Sequence, residues 1–306
     1  MINKKIIIGS RGSKLALNYA ERAKNEICTK LNIKEKNLEI KKIITEGDKI
    51  KDVRLSDTGG KGLFSKAIEN ELLNNKIDIA VHALKDMPSD ETSGLITNCF
   101  LERNDPREVL ISRDKKKFND LNKGSIIGTS SFRREFQFKR IRNDLKYKLI
   151  RGNVDTRIKK LNEKNFDAII LSFAGLHSLK LDQNITQIFS TSEIIPSAGQ
   201  GTIALQCREN DGEIIKILKK INHELTYKCV IAERDVLKTL NGDCETPIGV
   251  FANIKNNELN LETELFSLDG KDRFYESLST ELKNFKKIGL KVGTILKKKS
   301  KNSYKR

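Results

Sequence analysis

The chain has 306 residues, with 58 Lys and Arg against 41 Asp and Glu, and so a formal net charge of +17. Charged residues make up 32% and apolar residues 37%, a balance typical of globular proteins that excludes collagen, coiled coils and disordered chains. No stretch approaches the roughly 18 apolar residues of a membrane span. The first apolar run stops at Gly9 and is too short for a signal-peptide core, so no leader is expected.

The cysteines predict a reducing environment. Cys28, Cys99, Cys207, Cys229 and Cys244 are odd in number, widely spaced and never arranged as C-x-x-C. With three histidines and no H-E-x-x-H motif, neither a disulfide framework nor a metal site is expected. A cytoplasmic protein is the natural interpretation.

Strands and helices alternate over the first hundred residues. Strands are predicted at 4–8, 38–45 and 77–83, and helices at 15–31 and 63–74, with a polar loop over 46–58. The run IDIAVHA is almost continuously apolar, as in a buried parallel strand. This alternation predicts an α/β sheet with helices on both faces.

The same order of elements restarts near residue 108. Strands are predicted at 108–112, 125–129, 148–151 and 167–173, with helices at 130–142 and 155–162. A further strand at 203–208 could cross back to the first unit. The chain therefore predicts two related α/β units.

The pattern changes beyond residue 216. A helix at 227–240 is followed by short alternating strands at 250–254, 259–267 and 272–278, and by a closing helix at 282–296 that Gly289 and Gly293 weaken. These elements predict a small α+β unit. The last sixteen residues contain seven basic residues and no acidic one, and predict a solvated or frayed end.

Three Gly- or Ser-rich loops lie where a strand gives way to a helix. They are GSRGSK at 9–14, GTSSFRR at 128–134 and RGNVDTR at 151–157. Free backbone N–H groups at a helix start attract anions, and arginines accompany each loop. The first loop is neither a Walker loop nor a G-x-G-x-x-G fingerprint. A tight turn, or simple capping by the hydroxyls, remains the alternative.

Arginine is concentrated in one part of the chain. Nine of the sixteen arginines lie between Arg103 and Arg157. Because guanidinium groups bind carboxylates and phosphates bidentately, this clustering indicates an anionic ligand. A polycarboxylate and a nucleic acid are both open, although the absence of Trp weakens the second.

Four single residues are considered for chemistry. Lys85 and Asp86 follow a buried strand, where ligands collect in α/β sheets, although a surface ion pair is the simpler alternative. His82 lies within that strand and is expected to be a core histidine. Cys244 lies in the turn NGDCETP, either as a reactive thiol or as an accidental one.

Nine segments in chain order carry a family resemblance. They are GSRGSKLAL at Gly9, GGKGLFSK at Gly59, DIAVHALKDMPS at Asp78, NDPRE at Asn104, GTSSFRRE at Gly128, RGNVDTR at Arg151, DAIILSFAGL at Asp167, PSAGQGTIALQCR at Pro196 and GDCETPIG at Gly242. Together they resemble the porphobilinogen deaminase (hydroxymethylbilane synthase) family of tetrapyrrole and haem biosynthesis. The resemblance extends over nearly the whole chain.

The resemblance implies three domains. Two are α/β domains related to type II periplasmic binding proteins, and the third is a small C-terminal α+β domain that carries the cofactor cysteine. The boundaries expected are 1–101 with 202–220, 102–201 and 221–306.

The resemblance also implies a transferase. It joins four porphobilinogen molecules head to tail, with loss of ammonia, to give linear hydroxymethylbilane. Cys244 would hold a dipyrromethane cofactor through a thioether, and Asp86 matches the catalytic aspartate. A carboxylate there would stabilise positive charge on the pyrrole nitrogens and manage the proton.

The remaining site residues follow from the same match. Those expected to bind substrate or cofactor carboxylates are Arg11, Ser13, Lys61, Lys85, Thr129, Ser130, Ser131, Arg133, Arg134, Arg151, Asn153, Arg157 and Gln200. No metal is implied. The chain is expected to be a monomer that uses a small-molecule substrate and binds neither nucleic acid nor membrane.

Three positions depart from the family pattern. Ala83 stands where many relatives have Ser, Asp243 where a small residue is common, and Phe173 where a small residue is expected, so that it could narrow the cleft. A ligand-binding module of the same architecture remains the main alternative, and a nucleic-acid-binding protein is the third.

Overall fold

The computed structural model describes residues 5–49, 62–243 and 246–305. Lys61 and Cys244 lie outside the described residues. The helices are α1 Lys14–Leu31, α2 Glu46–Lys49, α3 Lys66–Leu73, α4 Phe132–Ile141, α5 Val154–Asn162, α6 Phe173–Ser178, α7 Gly212–Ile221, α8 Glu224–Leu240 and α9 Phe285–Ser300. The strands are β1 Ile6–Arg11, β2 Leu38–Ile43, β3 Ile79–Ala83, β4 Leu95–Phe100, β5 Glu108–Ser112, β6 Ile126–Gly128, β7 Lys146–Lys148, β8 Ala168–Ser172, β9 Gln187–Ile188, β10 Ile203–Arg208, β11 Ile248–Lys255, β12 Glu258–Phe266 and β13 Arg273–Glu281.

The first sheet has five strands in the order β2-β1-β3-β10-β4. β1 runs parallel to β2 and β3, whereas β10 is antiparallel to both of its neighbours. Helix α1 covers this sheet with its apolar face, on which Tyr19, Ala23 and Ile27 are buried. Burying a side chain such as that of Ile27 contributes about 1.5–3 kcal/mol. The predicted return of residues 203–208 to the first unit is confirmed.

The second sheet repeats this arrangement in the order β7-β6-β8-β5-β9. β6 is parallel to β7 and β8, and β5 is antiparallel to β8 and β9. In each sheet the fourth strand in this order, β10 or β5, therefore runs against its neighbours. The repetition predicted from the sequence is confirmed.

The third unit is an antiparallel sheet, β11-β12-β13, packed against α8 and α9. Val236, Leu261 and Val292 lie at the centre of its apolar core. Gly289 and Gly293 allow α9 to approach α8 closely, since a Cβ on Gly293 would lie 2.6 Å from Cβ of Thr239. Two α/β units of the same sheet topology and a small α+β unit therefore confirm the predicted fold class.

Several short elements were not predicted. β4, β9, α6 and α7 are present, the strand expected at 148–151 lies at Lys146–Lys148, and Glu46–Lys49 is helical where a loop was expected. The remainder of that loop, residues 50–58, lies outside the described residues. Helix α7 begins with a cap, in which Asp211 accepts a hydrogen bond from Ile214 N at 3.2 Å. Together with the helical spacing of Ile214, Ile217, Leu218 and Ile221, this cap is a signal from which α7 could have been predicted. The two residues of β9 and the six of α6 are too few for such a pattern to be recognised.

The basic C-terminal segment is not frayed. Helix α9 continues to Ser300, and the side chain of Tyr304 is only 1% exposed. Its hydroxyl donates a hydrogen bond to Leu240 O at 2.9 Å. The lysines themselves are mostly solvated, as expected, but an aromatic anchor fixes the backbone that carries them.

Candidate active site

A cleft of about 880 Å³ lies where loops of the three units meet. The loops after β1, β3 and β6 and the segment that leads into α5 open into it. These are the carboxyl ends of parallel strands, where α/β sheets collect ligands.

Twelve of the fifteen predicted site residues line this cleft. They are Arg11, Ser13, Lys85, Asp86, Ser130, Ser131, Arg133, Arg134, Arg151, Asn153, Arg157 and Gln200. Thr129 is buried and instead accepts a hydrogen bond from Ser131 N at 3.2 Å, which shapes the loop. Lys61 and Cys244 lie outside the described residues.

Serine hydroxyls cap two of the helices that begin at the cleft. Ser13 accepts from Ala16 N at 3.3 Å and caps α1, and Ser131 accepts from Arg134 N at 3.4 Å and caps α4. The capping interpretation is therefore correct for Ser131. Asn153 is the N-cap of α5 but makes no side-chain capping bond, and its side chain faces the cleft.

The cleft is strongly cationic. Its described lining contains eight Lys and Arg residues but only three carboxylates, those of Asp86, Asp155 and Asp243. Charges held in a partly enclosed cleft are screened less than on an open surface. A ligand with several carboxylates fits this field.

A buried carboxylate organises two of the arginines. Glu108 has no solvent exposure, and its Oε1 lies 2.7 Å from Nη2 of Arg133 while its Oε2 lies 2.8 Å from Nη2 of Arg134. Burial alone would raise the pKa of the Glu108 carboxyl, but Arg134, Arg133 and Lys85 outweigh it and lower the pKa to about 2. The sequence pattern places Glu108 in a strand and gives no sign of this role.

A second nitrogen of each guanidinium donates a hydrogen bond to a backbone carbonyl. Arg133 Nη1 donates to Ile195 O at 3.0 Å, and Arg134 Nη1 donates to Ile170 O at 3.1 Å. Among the described residues, the buried Nε of Arg134 has no hydrogen-bond partner. It is therefore a donor available to a ligand in the cleft.

Lys85 is held next to this cluster. Its Nζ donates to Oε1 of Gln200 at 3.3 Å, and Nε2 of Gln200 donates to Glu108 Oε1 at 2.9 Å. Burial, together with the charge of Arg134, lowers the pKa of Lys85 to about 8, against the opposite effect of Asp86 and Glu108. This ammonium group therefore titrates close to neutral pH.

Arg157 completes the basic wall. Its Nε donates to Gly152 O at 2.8 Å, which fixes the guanidinium at the start of α5. Burial, followed by the charges of Arg134 and Arg151, lowers the pKa of Arg157 to about 10. The mutual repulsion of these arginines favours an anion between them.

Asp86 ends the short helical turn Leu84–Asp86 that directly follows β3. It faces the cleft between the first and second sheets and lies in the electrostatic field of Lys85 and Arg157. His82 lies in β3, before this turn, and its side chain is buried. Its Nε2 lies 3.2 Å from Oε1 of Gln206. Burial lowers the pKa of His82 to about 4, so the prediction of a neutral core histidine is confirmed.

Two apolar residues of the cleft wall, Phe64 and Ile44, were not predicted from the sequence. The guanidinium carbon of Arg11 lies 4.0 Å from the ring centre of Phe64, a cation–π contact that fixes both side chains. Ile44 also lines the cleft and is 76% exposed, an unusual state for so large an apolar residue. The GGKGLF motif contains Phe64 and is the one sequence signal that could have indicated it.

The departures from the family pattern have different outcomes. Phe173 is not among the described residues that line the cleft, and its ring stacks on His177 at 5.6 Å, so the expected narrowing is wrong. Ala83 ends β3 and packs against the core of the first sheet. Asp243 lines the cleft and accepts a hydrogen bond from Thr246 N at 3.1 Å.

Comparison with known proteins decides the family. A family model described as porphobilinogen deaminase, dipyromethane cofactor binding domain, matches residues 6–216. A second, described as porphobilinogen deaminase, C-terminal domain, matches residues 227–298. The chain belongs to the porphobilinogen deaminase family. The residues matched by the cofactor-binding domain include every charged residue of the described cleft lining except Asp243.

Curated members of the family match over almost their whole length. The porphobilinogen deaminase of Geobacillus sp. is 44% identical over 297 residues, covering 96% of this chain and 94% of that protein. That of Staphylococcus epidermidis is 41% identical, and the match covers 96% of this chain and 95% of that protein. That of Alkaliphilus metalliredigens is 40% identical, and the match covers 95% of this chain and 92% of that protein.

Two solved structures that are similar to this chain share little sequence identity with it. The second substrate-binding domain of a putative amino acid ABC transporter from Streptococcus pneumoniae is 15% identical, with a TM-score of 0.43 over 71% of this chain and 92% of that one. The VFT2 domain of Bordetella pertussis BvgS is 12% identical, with a TM-score of 0.42 over 71% and 85%.

The described residues fit the cofactor named by the family's domain. A dipyrromethane built from two porphobilinogen units carries four carboxylates, and the cleft offers the unpartnered Nε of Arg134 within a surplus of basic groups. Such donors bind carboxylates through charge-assisted hydrogen bonds. Within the described residues, no helix is both long and apolar enough to span a membrane.

Proposed function

We propose that this chain is a hydroxymethylbilane synthase. Four porphobilinogen molecules and one water are converted into linear hydroxymethylbilane and four molecules of ammonia. The observation that carries the proposal is the cleft in which Asp86, in the turn after β3, faces the basic groups of α4, α5 and the loop before α5.

Cys244 is the proposed attachment point of the dipyrromethane, through a thioether. Its neighbours Asp243 and Thr246 line the cleft, which supports this assignment. When bound, the dipyrromethane supplies the pyrrole carbon to which the first porphobilinogen is joined.

The arginines bind and orient carboxylates. Arg133 and Arg134 are already fixed by Glu108, so little side-chain entropy is lost when a ligand arrives. Arg11, Arg151 and Arg157 approach from the other loops. Ser13, Ser130 and Asn153 add neutral donors at the helix starts.

Asp86 handles the charge that develops during the reaction. Loss of ammonia and attack by a pyrrole place positive charge on ring nitrogens, and the Asp86 carboxylate stabilises it and accepts the proton. Lys85, the preceding residue, also lines the cleft and adds a positive charge beside this carboxylate. Lys61 and Thr129 are proposed to complete the set of polar partners.

We also propose the domain division 1–101 with 202–220, 102–201 and 221–306. The membership of the strands in the three sheets supports it, because β10 rejoins β3 and β4. The chain is proposed to act as a monomer in the reducing cytoplasm without nucleic acid. The free thiols of Cys28, Cys99, Cys207 and Cys229 support the redox assignment.

Intact mass and turnover together test the function. The purified wild type should carry the added mass of two deaminated porphobilinogen units, which the Cys244→Ser variant should lack. The wild type should then release one ammonia for each porphobilinogen consumed. An unmodified protein that porphobilinogen cannot load would favour a ligand-binding module of the same fold, and salt-sensitive binding to duplex DNA would favour the third alternative.

A further inference from the structure

Ser89 connects the segment of Asp86 to the turn of Cys244. It lies three residues after Asp86, and its buried Oγ donates a hydrogen bond to Gly242 O at 2.9 Å. Gly242 lies two residues before Cys244. One hydrogen bond thus joins two parts of the proposed site that are about half the chain apart in sequence.

Arg234 makes a second connection between the same parts. Its Nη2 donates to Pro88 O at 2.8 Å and to Ser89 O at 3.2 Å, and its side chain is 11% exposed. Arg234 belongs to α8, the helix that leads into the Gly242 turn. Burial lowers the pKa of Arg234, while the nearby carboxylates, Glu91 first, oppose this.

The turn itself is closed by side chains. Asp243 N donates to Thr246 Oγ1 at 2.9 Å, and Thr246 N donates to Asp243 Oδ1 at 3.1 Å. This reciprocal pair brackets positions 244 and 245. It also accounts for Asp243, the residue that departs from the family pattern.

Apolar packing reinforces these polar contacts. Leu84 and Met87, on either side of Asp86, are buried against Val230 of α8. The Asp86 segment is therefore held on the same helix that ends in the cysteine turn. A packed interface of this kind has few alternative arrangements.

We propose that Ser89 and Arg234 are positioning residues that hold Gly242 and helix α8, which lead along the chain to Cys244, at a fixed offset from Asp86. This inference rests on the proposed function. Its consequence is that Asp86 and Gly242, which precedes Cys244 by two residues, move as one unit.

The test compares Ser89→Ala with Ser89→Thr. Loss of the hydroxyl should lower kcat about fivefold, the factor that corresponds to one neutral hydrogen bond, with KM for porphobilinogen unchanged. Ser89→Thr keeps a hydroxyl and should restore most of the rate. Arg234→Lys, which keeps the charge but loses the two-carbonyl geometry, should reproduce the loss in kcat.

Ser300→Ala is the matched control. Ser300 is buried, and its Oγ donates to a carbonyl, Lys297 O, at 3.4 Å, far along α9. The kcat values of all variants are compared at equal cofactor occupancy, which is measured by intact mass. Their melting temperatures are also compared. A kcat for Ser89→Ala equal to that of Ser300→Ala, or a loss in Ser89→Thr as large as in Ser89→Ala, would overturn the inference. A wild type without turnover would contradict the proposed function and this inference with it, whereas an active wild type matched by Ser89→Ala would contradict this inference alone.

Discussion

Arg134 Nη2 and Glu108 Oε2 lie 2.8 Å apart in a place that solvent barely reaches, with the two side chains 8% and 0% exposed. The carboxylate belongs to the first strand of the second sheet to appear in the chain, and the guanidinium belongs to the helix that opens onto the cleft. The protein's own carboxylate therefore fixes a group that is proposed to bind the carboxylates of its ligand.

Replacing Glu108 should reveal how much this arrangement contributes. Glu108→Gln leaves Arg133 and Arg134 buried without a counter-charge, and the free energy of unfolding should fall by about 3–5 kcal/mol. Urea denaturation at pH 7 measures this. Because the folded-state pKa of Glu108 is lowered, its contribution is present above the ordinary pKa and is lost as pH falls toward about 2.

The control for that measurement is Glu163→Gln. Glu163 forms an exposed i,i+4 pair with Lys159, with 3.8 Å between Oε1 and Nζ. Such pairs contribute less than about 1 kcal/mol. If the free energy of unfolding fell equally in the two variants, Glu108 would contribute no more to stability than an exposed ion pair does.

Asp86→Asn should abolish most of the turnover and leave the fold intact. The amide has the same shape but can neither balance positive charge nor accept the proton, so kcat should fall by about 10²-fold or more. Initial rates of porphobilinogen consumption and the circular dichroism spectrum check the two halves of this statement. Asp90→Asn, an exposed neighbour on the same segment, should retain the wild-type rate. Wild-type kcat in Asp86→Asn would remove the aspartate from the mechanism.

Lys85 should produce an alkaline limb in the pH profile. Its pKa of about 8 means that its charge is lost just above neutral pH, so kcat/KM for a carboxylate substrate should decline there. Lys85→Arg keeps the charge and should move the decline to higher pH. Stability should change in the opposite direction, because a folded-state pKa below the ordinary value makes the free energy of unfolding rise between about pH 8 and pH 10. A decline that Lys85→Arg leaves in place would assign it to another group.

Gly289→Ala should destabilise the protein although alanine is the better helix former. A Cβ there would overlap Ala232 O and lie 2.8 Å from Cβ of Asp235. The clash should cost about 1–3 kcal/mol and outweigh a gain of about 1 kcal/mol in helix propensity. Gly212→Ala is the control, since nothing lies within 4 Å of a Cβ at that position. Thermal unfolding of both variants tests the sign, and a Gly289→Ala protein as stable as the wild type would refute the packing argument.

The three loops that line the cleft could be predicted because their signal is local. In each one, a strand, a short polar loop with arginine and a helix start follow within a few residues of each other. Ser13 and Ser131 show that the same local chemistry also predicts the caps. The position of Asp86 followed from its place at a strand end.

Long-range contacts could not be predicted in this way. Glu108 looks like any polar residue at the edge of an apolar strand until the fold brings Gln200 and two arginines to it. Gly289 was interpreted as a weakness in a helix, but it is a point of close contact between two helices. In both cases a partner distant in the chain determines the role.

The position of β10 has a consequence for how the chain folds during synthesis. The second sheet is built from residues 108–188 and is complete as soon as that stretch has left the ribosome. The first sheet begins earlier but needs residues 203–208 between β3 and β4. Until β10 is made, the backbone N–H and C=O groups along the facing edges of those two strands have no strand partner. During synthesis β3 and β4 can therefore pair with a wrong strand until β10, about a hundred residues further along the chain, has been made.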